Sequence, residues 1–186
     1  KPLDLRRFQH SVNALLPPDI AFKHIEEVPN TFNPRRDAIR RTYQYRIWNQ
    51  QWRSPLWARY SWHIPYPLDI DAMNRAASLL IGDHDFSSFR GSDSEDRTPQ
   101  RTIFHSTVRS NDQFLLYDIE GRSFLRHMVR NIVGTLVDVG RGAITVDDFA
   151  RIFAACDRTH AGLNAPPQGL CLVAVKYSPE SQVVTS

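Results

Sequence analysis

Leu5, Phe8, Val12, Leu15 and Leu16 recur at helical spacing across residues 4–16, and Pro17-Pro18, which lack amide donors, end the run. This predicts a short amphipathic helix. From Ile20 to Val28 the pattern favours a strand, and Pro29-Asn30 then breaks it before a basic loop, Phe32-Asn33-Pro34-Arg35-Arg36. The segment Thr42-Tyr43-Gln44-Tyr45-Arg46-Ile47-Trp48 alternates as a half-buried strand should, with Tyr43 and Tyr45 on one face. A stretch with Trp52, Trp57, Tyr60 and Trp62 leads to a helix predicted over 70–81, with Asp69 as its cap. Strands at Arg101–Arg109 and Gln113–Glu120 flank a Ser110-Asn111-Asp112 turn and read as an antiparallel hairpin. A long helix is predicted from Phe124 to Val139, with Leu125, Met128, Val129, Ile132, Val133 and Leu136 on its apolar side and Gly140 at its end. A second covers about 146–156, where Thr145 and Asp148 are spaced as a capping box. The last strand is Gly169–Tyr177.

Locally paired strands interspersed with helices predict an α+β fold, with a mainly antiparallel sheet and helices on one face. The break at Pro29-Asn30 divides the chain into 1–30, a domain over 31–178 and a polar tail over 179–186. The chain opens on Lys1, without methionine, and reads as entering in mid-protein.

Composition narrows the function classes. Of the 186 residues 41% are hydrophobic and 23% charged, as in ordinary globular proteins, and no apolar run reaches membrane-spanning length. A membrane-spanning chain is thereby disfavoured. No phosphate-cradling glycine loop appears, which argues against nucleotide-cofactor enzymes. Cys156 and Cys171 lack metal-ligand spacing and sit among apolar residues, so they read as buried free thiols in a reducing compartment. No two histidines have ligand spacing either, and no metal site is predicted. The net charge of +3 is modest, but arginines cluster at 35–41, 97–109 and 122–130 and the sequence pI is about 9.1. Such clusters fit either a polyanion such as nucleic acid or a plain solvated surface.

Several positions admit a chemical and a structural reading. Tyr43 and Tyr45 are an aromatic pair that reads as core or cross-strand packing, with a site role for Tyr43 as the alternative. Arg126 and Arg130, four apart on the predicted helix, are a solvated stripe, or a phosphate contact beside a buried pairing residue. His84 and Asp85 invite acid–base chemistry, with a structural role as the alternative.

Taken together, Asn13-Ala14-Leu15-Leu16-Pro17-Pro18-Asp19-Ile20, Arg41-Thr42-Tyr43-Gln44-Tyr45, Gly82-Asp83-His84-Asp85-Phe86-Ser87-Ser88-Phe89-Arg90, Met128-Val129-Arg130-Asn131-Ile132-Val133-Gly134 and Ala165-Pro166-Pro167-Gln168-Gly169-Leu170 resemble the TruA-type tRNA pseudouridine synthases in order and spacing. The resemblance covers nearly the whole chain. It implies a pseudouridine synthase-like fold, tRNA as substrate and an isomerisation of uridine to pseudouridine in the anticodon arm. In that reaction one aspartate detaches uracil from its ribose, and the base is turned and rejoined through carbon without cofactor or metal. It further implies a cytoplasmic homodimer. By resemblance, Tyr43 faces the target base, Arg130 pairs with the catalytic aspartate, Leu170 packs beside the site, and the stretch at His84 and Asp85 is a helical turn with Phe86 and Phe89 packed inward. Arg35, Arg36, Arg40, Arg41, Arg97, Arg101 and Arg126 are expected to contact the tRNA backbone.

The aspartate itself, which belongs to a Gly-Arg-Thr-Asp-Ala-Gly-Val-His segment of the family, is not matched by the 42 residues before Tyr43. The expectation is a truncated synthase that is inactive alone. Its alternative is a non-catalytic RNA-binding module of the same fold. A sheet edge left uncovered by the missing half is expected to promote dimerisation or aggregation.

Overall fold

A computed structural model describes residues 3–91 and 98–178. Its elements run α1 (Leu5–Leu15), β1 (Ala38–Trp48), β2 (Trp62–His63), α2 (Ile70–Ser78), β3 (Gly82–Asp85), β4 (Gln100–Asn111), β5 (Phe114–Gly121), α3 (Met128–Gly140), α4 (Val146–Ala154) and β6 (Leu170–Tyr177). The sheet has the order β2-β1-β5-β4-β3, with β6 also pairing with β1. The β1–β5, β4–β5 and β3–β4 ladders are antiparallel, and the two-residue β2 adds in parallel to β1. The fold is α+β, as the pattern predicted. The chain separates into two compact units: residues up to Asp37 joined by the chain from Tyr177 onward, and Ala38–Lys176.

In the first unit, Asp4 caps α1 through the amides of Arg6 and Arg7. The strand expected at Ile20–Val28 does not form. The backbone of Phe22 is instead satisfied by side chains of α1, because the Asn13 amide both accepts from its N–H at 2.7 Å and donates to its carbonyl at 2.9 Å. A side chain that completes both backbone bonds removes the need for a partner strand. The loop at 29–37 closes on Asp37, whose carboxylate accepts from the Asn33 amide at 2.7 Å, and the Phe32 and Tyr177 rings meet edge-on at 5.0 Å.

In the second unit, Tyr45 lies opposite Tyr117 and both are buried. Strand alternation then places Tyr43, Ile47, Leu115 and Ile119 on the same inner face. Helices α2, α3 and α4 pack on one another, with α2 against β4 and α3 against β1. Asp69 caps α2 by accepting from the Ala72 amide at 2.8 Å, and Thr145 with Asp148 forms the expected capping box on α4. On α2 the Asn74 side chain acts as a strand would, accepting from the Val108 N–H and donating to its carbonyl, both at 2.7 Å, along the edge of β4. The hairpin turns through Asp112 and Gln113, because Ser110 and Asn111, expected in the turn, stay in β4; Asp112 takes the left-handed region at φ 50. Among the described residues no helix is long and apolar enough to cross a membrane.

Two further expectations change. The stretch Gly82–Asp85 is a strand, not a helical turn; the turn follows at Ser87–Phe89, and Phe86 and Phe89 are buried as expected. Cys156 and Cys171 are free but exposed. Cys156 falls just past α4 in a left-handed conformation, and Cys171 lies on β6, where four successive residues stay exposed. Apolar neighbours in sequence did not bury them, because neither element is covered on that side.

Candidate functional site

Tyr43 sits half-buried on the inner face of β1, opposite Ile119, and its ring meets Phe124 edge-on at 5.1 Å. Phe124 was expected inside the long helix. That helix starts four residues later, at Met128, after His127 adopts φ 61. Such a left-handed residue redirects the chain, so that Phe124 reaches Tyr43 while Leu125 enters the core. Arg126 is consequently not on the helix face of Arg130; its carbonyl accepts from the Gly91 amide at 2.9 Å in the preceding turn.

Arg130 occupies the first turn of α3 and is held from outside the helix. Its Nε donates to the Ala165 carbonyl at 2.6 Å, and the Ala165 amide returns a bond of 3.2 Å to the Arg130 carbonyl. This reciprocal pair requires the segment around 163–165 to lie directly on the helix. Gly134 makes that approach feasible, since a Cβ there would collide with the Leu163 carbonyl. One turn further along, the Gly162 amide donates to Thr135 Oγ1 at 3.0 Å.

The same segment then crosses to β1. The Tyr45 hydroxyl donates to the Pro166 carbonyl at 2.7 Å, and a Cβ on Gly169 would come within 2.6 Å of the Tyr45 ring. Leu170 follows, half-buried against the main core. Burial pushes the Tyr45 phenol well above its ordinary range, while the charge of Arg130 pulls in the opposite direction. Tyr45 therefore stays protonated at neutral pH and serves as a hydrogen-bond donor. Around it the structure gathers the segments bearing Tyr43, Arg130 and Leu170. Among the described residues no carboxylate is paired with Arg130.

The remaining motif residues divide. Asn131 is buried and structural, with its amide donating to the Phe89 carbonyl at 2.9 Å and accepting from Arg158 at 3.1 Å. Buried Ser88 donates to the Ile152 carbonyl at 2.6 Å, and His84 Nε2 lies 2.9 Å from the Ile81 carbonyl. Among the described residues no group of histidines, cysteines and carboxylates is placed to hold a metal ion.

Within the second unit, Arg40 and Arg41 do not share a face, since strand alternation points them to opposite sides of the sheet. On the outer face Arg40 donates to Glu120 at 2.7 Å and lies 4.3 Å above the Phe104 ring. With help from Lys176 and Thr42, that arginine holds the Glu120 carboxyl below its ordinary value, against the opposing effect of burial. Arg41 donates to the Arg122 carbonyl at 2.6 Å, on the face shared with Tyr43. Arg101 donates to the carbonyls of Thr98 and Gln100 at 2.8 and 2.7 Å and lines a polar recess of about 190 Å³ with Asp83, Thr102, Arg122 and Ser123. Arg35 and Arg36 belong to the first compact unit, where their amides donate to Asn33 Oδ1. Arg97 lies outside the described residues.

Sequence reasoning missed Phe124 as the partner of Tyr43 and Ala165 as the anchor of Arg130. The glycines in Met128–Gly134 and Ala165–Leu170 were the available signal, since both sit where another segment comes too close for a side chain.

Comparison with known proteins adds an independent line. The family model described as tRNA pseudouridine synthase matches residues 76–178. The tRNA pseudouridine synthase A of Geotalea daltonii is 44% identical over 177 residues, which cover 95% of this chain and 72% of that protein. The Geotalea uraniireducens protein of the same name is 45% identical with the same coverage, and that of a Thermoanaerobacter species is 43% identical over 171 residues, or 92% of this chain and 70% of that one.

Proposed function

The chain belongs to the tRNA pseudouridine synthase family, and on that premise we propose that its residues form the pocket wall of an enzyme that isomerises uridine to pseudouridine in the anticodon arm of tRNA. The observation that carries this reading is Arg130. It is a half-buried cation whose Nε is fixed on a backbone carbonyl and which has no carboxylate partner among the described residues. A cation left without a carboxylate in a partly dry setting favours an incoming carboxylate by charge-assisted hydrogen bonding. In the reaction the family resemblance implies, that carboxylate is the catalytic aspartate.

The steps assign a role to each neighbour. The bond between uracil N1 and the ribose C1′ breaks, the base turns, C5 bonds to C1′, the C5 proton leaves to solvent and N1 takes up a proton in its place. Arg130 keeps the aspartate ionised and oriented for its covalent role. Tyr43, steadied by Phe124, presents a ring to the extruded base, and Leu170 keeps water from one side. Arg35, Arg36, Arg40, Arg41, Arg97, Arg101 and Arg126 contact phosphates and position the tRNA without reading its sequence.

In a chain that also carries the Gly-Arg-Thr-Asp-Ala-Gly-Val-His segment, Arg130→Ala is expected to lower turnover by roughly 10²–10³-fold, the scale of losing one preorganised electrostatic contact, with tRNA affinity largely kept. Unchanged turnover would remove Arg130 from the site. The working protein is proposed to be a cytoplasmic homodimer. Its exposed free thiols suit a reducing compartment, and the exposed Leu172 and Val173 on β6 offer apolar surface for association. Sedimentation showing a monomer at every concentration would contradict the dimer.

A further inference from the structure

The connection between β1 and α2 lies outside the wall just described. From Asn49 to Leu68 it holds Trp52, Trp57, Tyr60, Trp62 and Tyr66 together with Arg53 and Arg59, and not one aspartate or glutamate. Its framework is tightly tied. Trp48 Nε1 donates to the Trp52 carbonyl at 2.8 Å. The Tyr60 amide and Ser61 hydroxyl both donate to the Trp57 carbonyl, at 2.9 and 2.8 Å. Asn49 Nδ2 reaches the carbonyls of Ile64 and Tyr66 at 3.0 and 2.8 Å. A loop fixed in this way still leaves Trp52 76%, Tyr60 56% and Trp57 38% exposed. Single exposed rings are ordinary, but a held group of them marks a contact surface.

Trp57 stands over the outer face of the sheet, edge-on to Phe114 at 5.2 Å. Beside it opens a recess of about 240 Å³ lined by Gln44, Arg46, Trp57, Asn111, Phe114 and Leu116. The lining contains a cation and no carboxylate. Asp118, on the same face, is already bonded to Arg109 at 2.7 Å and Gln44 at 2.9 Å. This recess is distinct from the wall at Tyr43. Phe114 pairs with Trp48, five residues further along β1, about 17 Å at strand rise, and on the opposite face.

We propose that loop 49–61 and the adjoining outer face of β1 and β5 form a second RNA-contacting surface, with unpaired nucleotides of the substrate as its occupant. A base stacks on Trp57, its edge meets the Arg46 and Asn111 side chains, and flanking phosphates meet Arg53 and Arg59. Exposed aromatic rings interleaved with arginine are the chemistry of unpaired-strand binding. A second copy of this chain suits the surface less well, because a two-fold contact through it would set Arg53 and Arg59 against their like charges. The proposal rests on the reading that the protein binds tRNA.

The test is equilibrium binding of an unmodified tRNA transcript to the 186-residue protein across a salt series, with Trp57→Ala, Trp57→Phe and the double variant Arg53→Ala/Arg59→Ala. Trp57→Ala is expected to weaken binding roughly tenfold, within the range for one lost base stack, and Trp57→Phe to restore most of it. The double variant, whose residues are exposed, is expected to reduce the slope of log affinity against log salt by roughly 1.4, two single-strand phosphate contacts. If wild type binds and all variants match it in affinity and slope, this surface is overturned while the tRNA reading stands. If wild type does not bind the transcript at all, both fail. If Trp57 becomes protected from a fluorescence quencher as protein concentration rises without RNA, the occupant is another copy and the proposal is overturned.

Discussion

Glu120 shows how one side chain organises the outer face of the sheet. It accepts from Arg40 at 2.7 Å, from Thr42 at 3.1 Å and from Lys176 at 3.3 Å, and these partners lower its pKa, Arg40 most of all. A carboxyl whose folded value lies below its unfolded one adds stability that is fully present above the unfolded value and is lost as pH falls through the folded value. Thermal melts should therefore place Glu120→Gln below wild type at neutral pH, and the gap should narrow as the pH drops beneath the ordinary carboxylate range. A gap that stays constant with pH would mean that the ionised form contributes nothing. At this scale the sequence was readable for Tyr43 and Arg130, because motif spacing singled them out. Their partners Phe124 and Ala165 were not, since a ring contact and a carbonyl bond between distant segments leave no periodicity.

Among the elements, α3 and the segment laid across it carry the candidate site. Gly134 sits in mid-helix, where alanine would ordinarily gain about 1 kcal/mol in propensity. Its Cβ would instead strike the Leu163 carbonyl, part of the backbone that anchors Arg130 through Ala165. Overpacking typically costs about 1–3 kcal/mol, and here the opposing atom is backbone, so the loss outweighs the propensity gain. Gly134→Ala should accordingly lower the melting temperature; an increase would show that the segment does not press on the helix. Periodicity revealed α1, α2, α4 and the β4–β5 hairpin because each has its own cap, turn or alternation. It failed at Ile20–Val28, where Asn13 supplies the bonds a strand would have needed. It failed again at the start of α3, where apolar Phe124 and Leu125 fit the helical pattern but the left-handed His127 turns them onto separate surfaces.

At the scale of the whole molecule, the chain brings together the three groups that we propose surround a reacting uridine. Tyr43 on Phe124, Arg130 on Ala165 and Gly169, next to Leu170, against Tyr45 depend on one continuous arrangement of β1, α3 and the segment leading into β6. The resemblance requires one further group, the aspartate, for which the 186 residues hold no matching segment. Binding and chemistry should therefore separate in this chain. The direct measurement is release of tritium from carbon 5 of labelled uridine in a tRNA transcript incubated with the 186-residue protein. No release above background is predicted, at protein concentrations where the transcript is bound; multiple turnovers of release would contradict the division between a pocket wall encoded here and a nucleophile that is not.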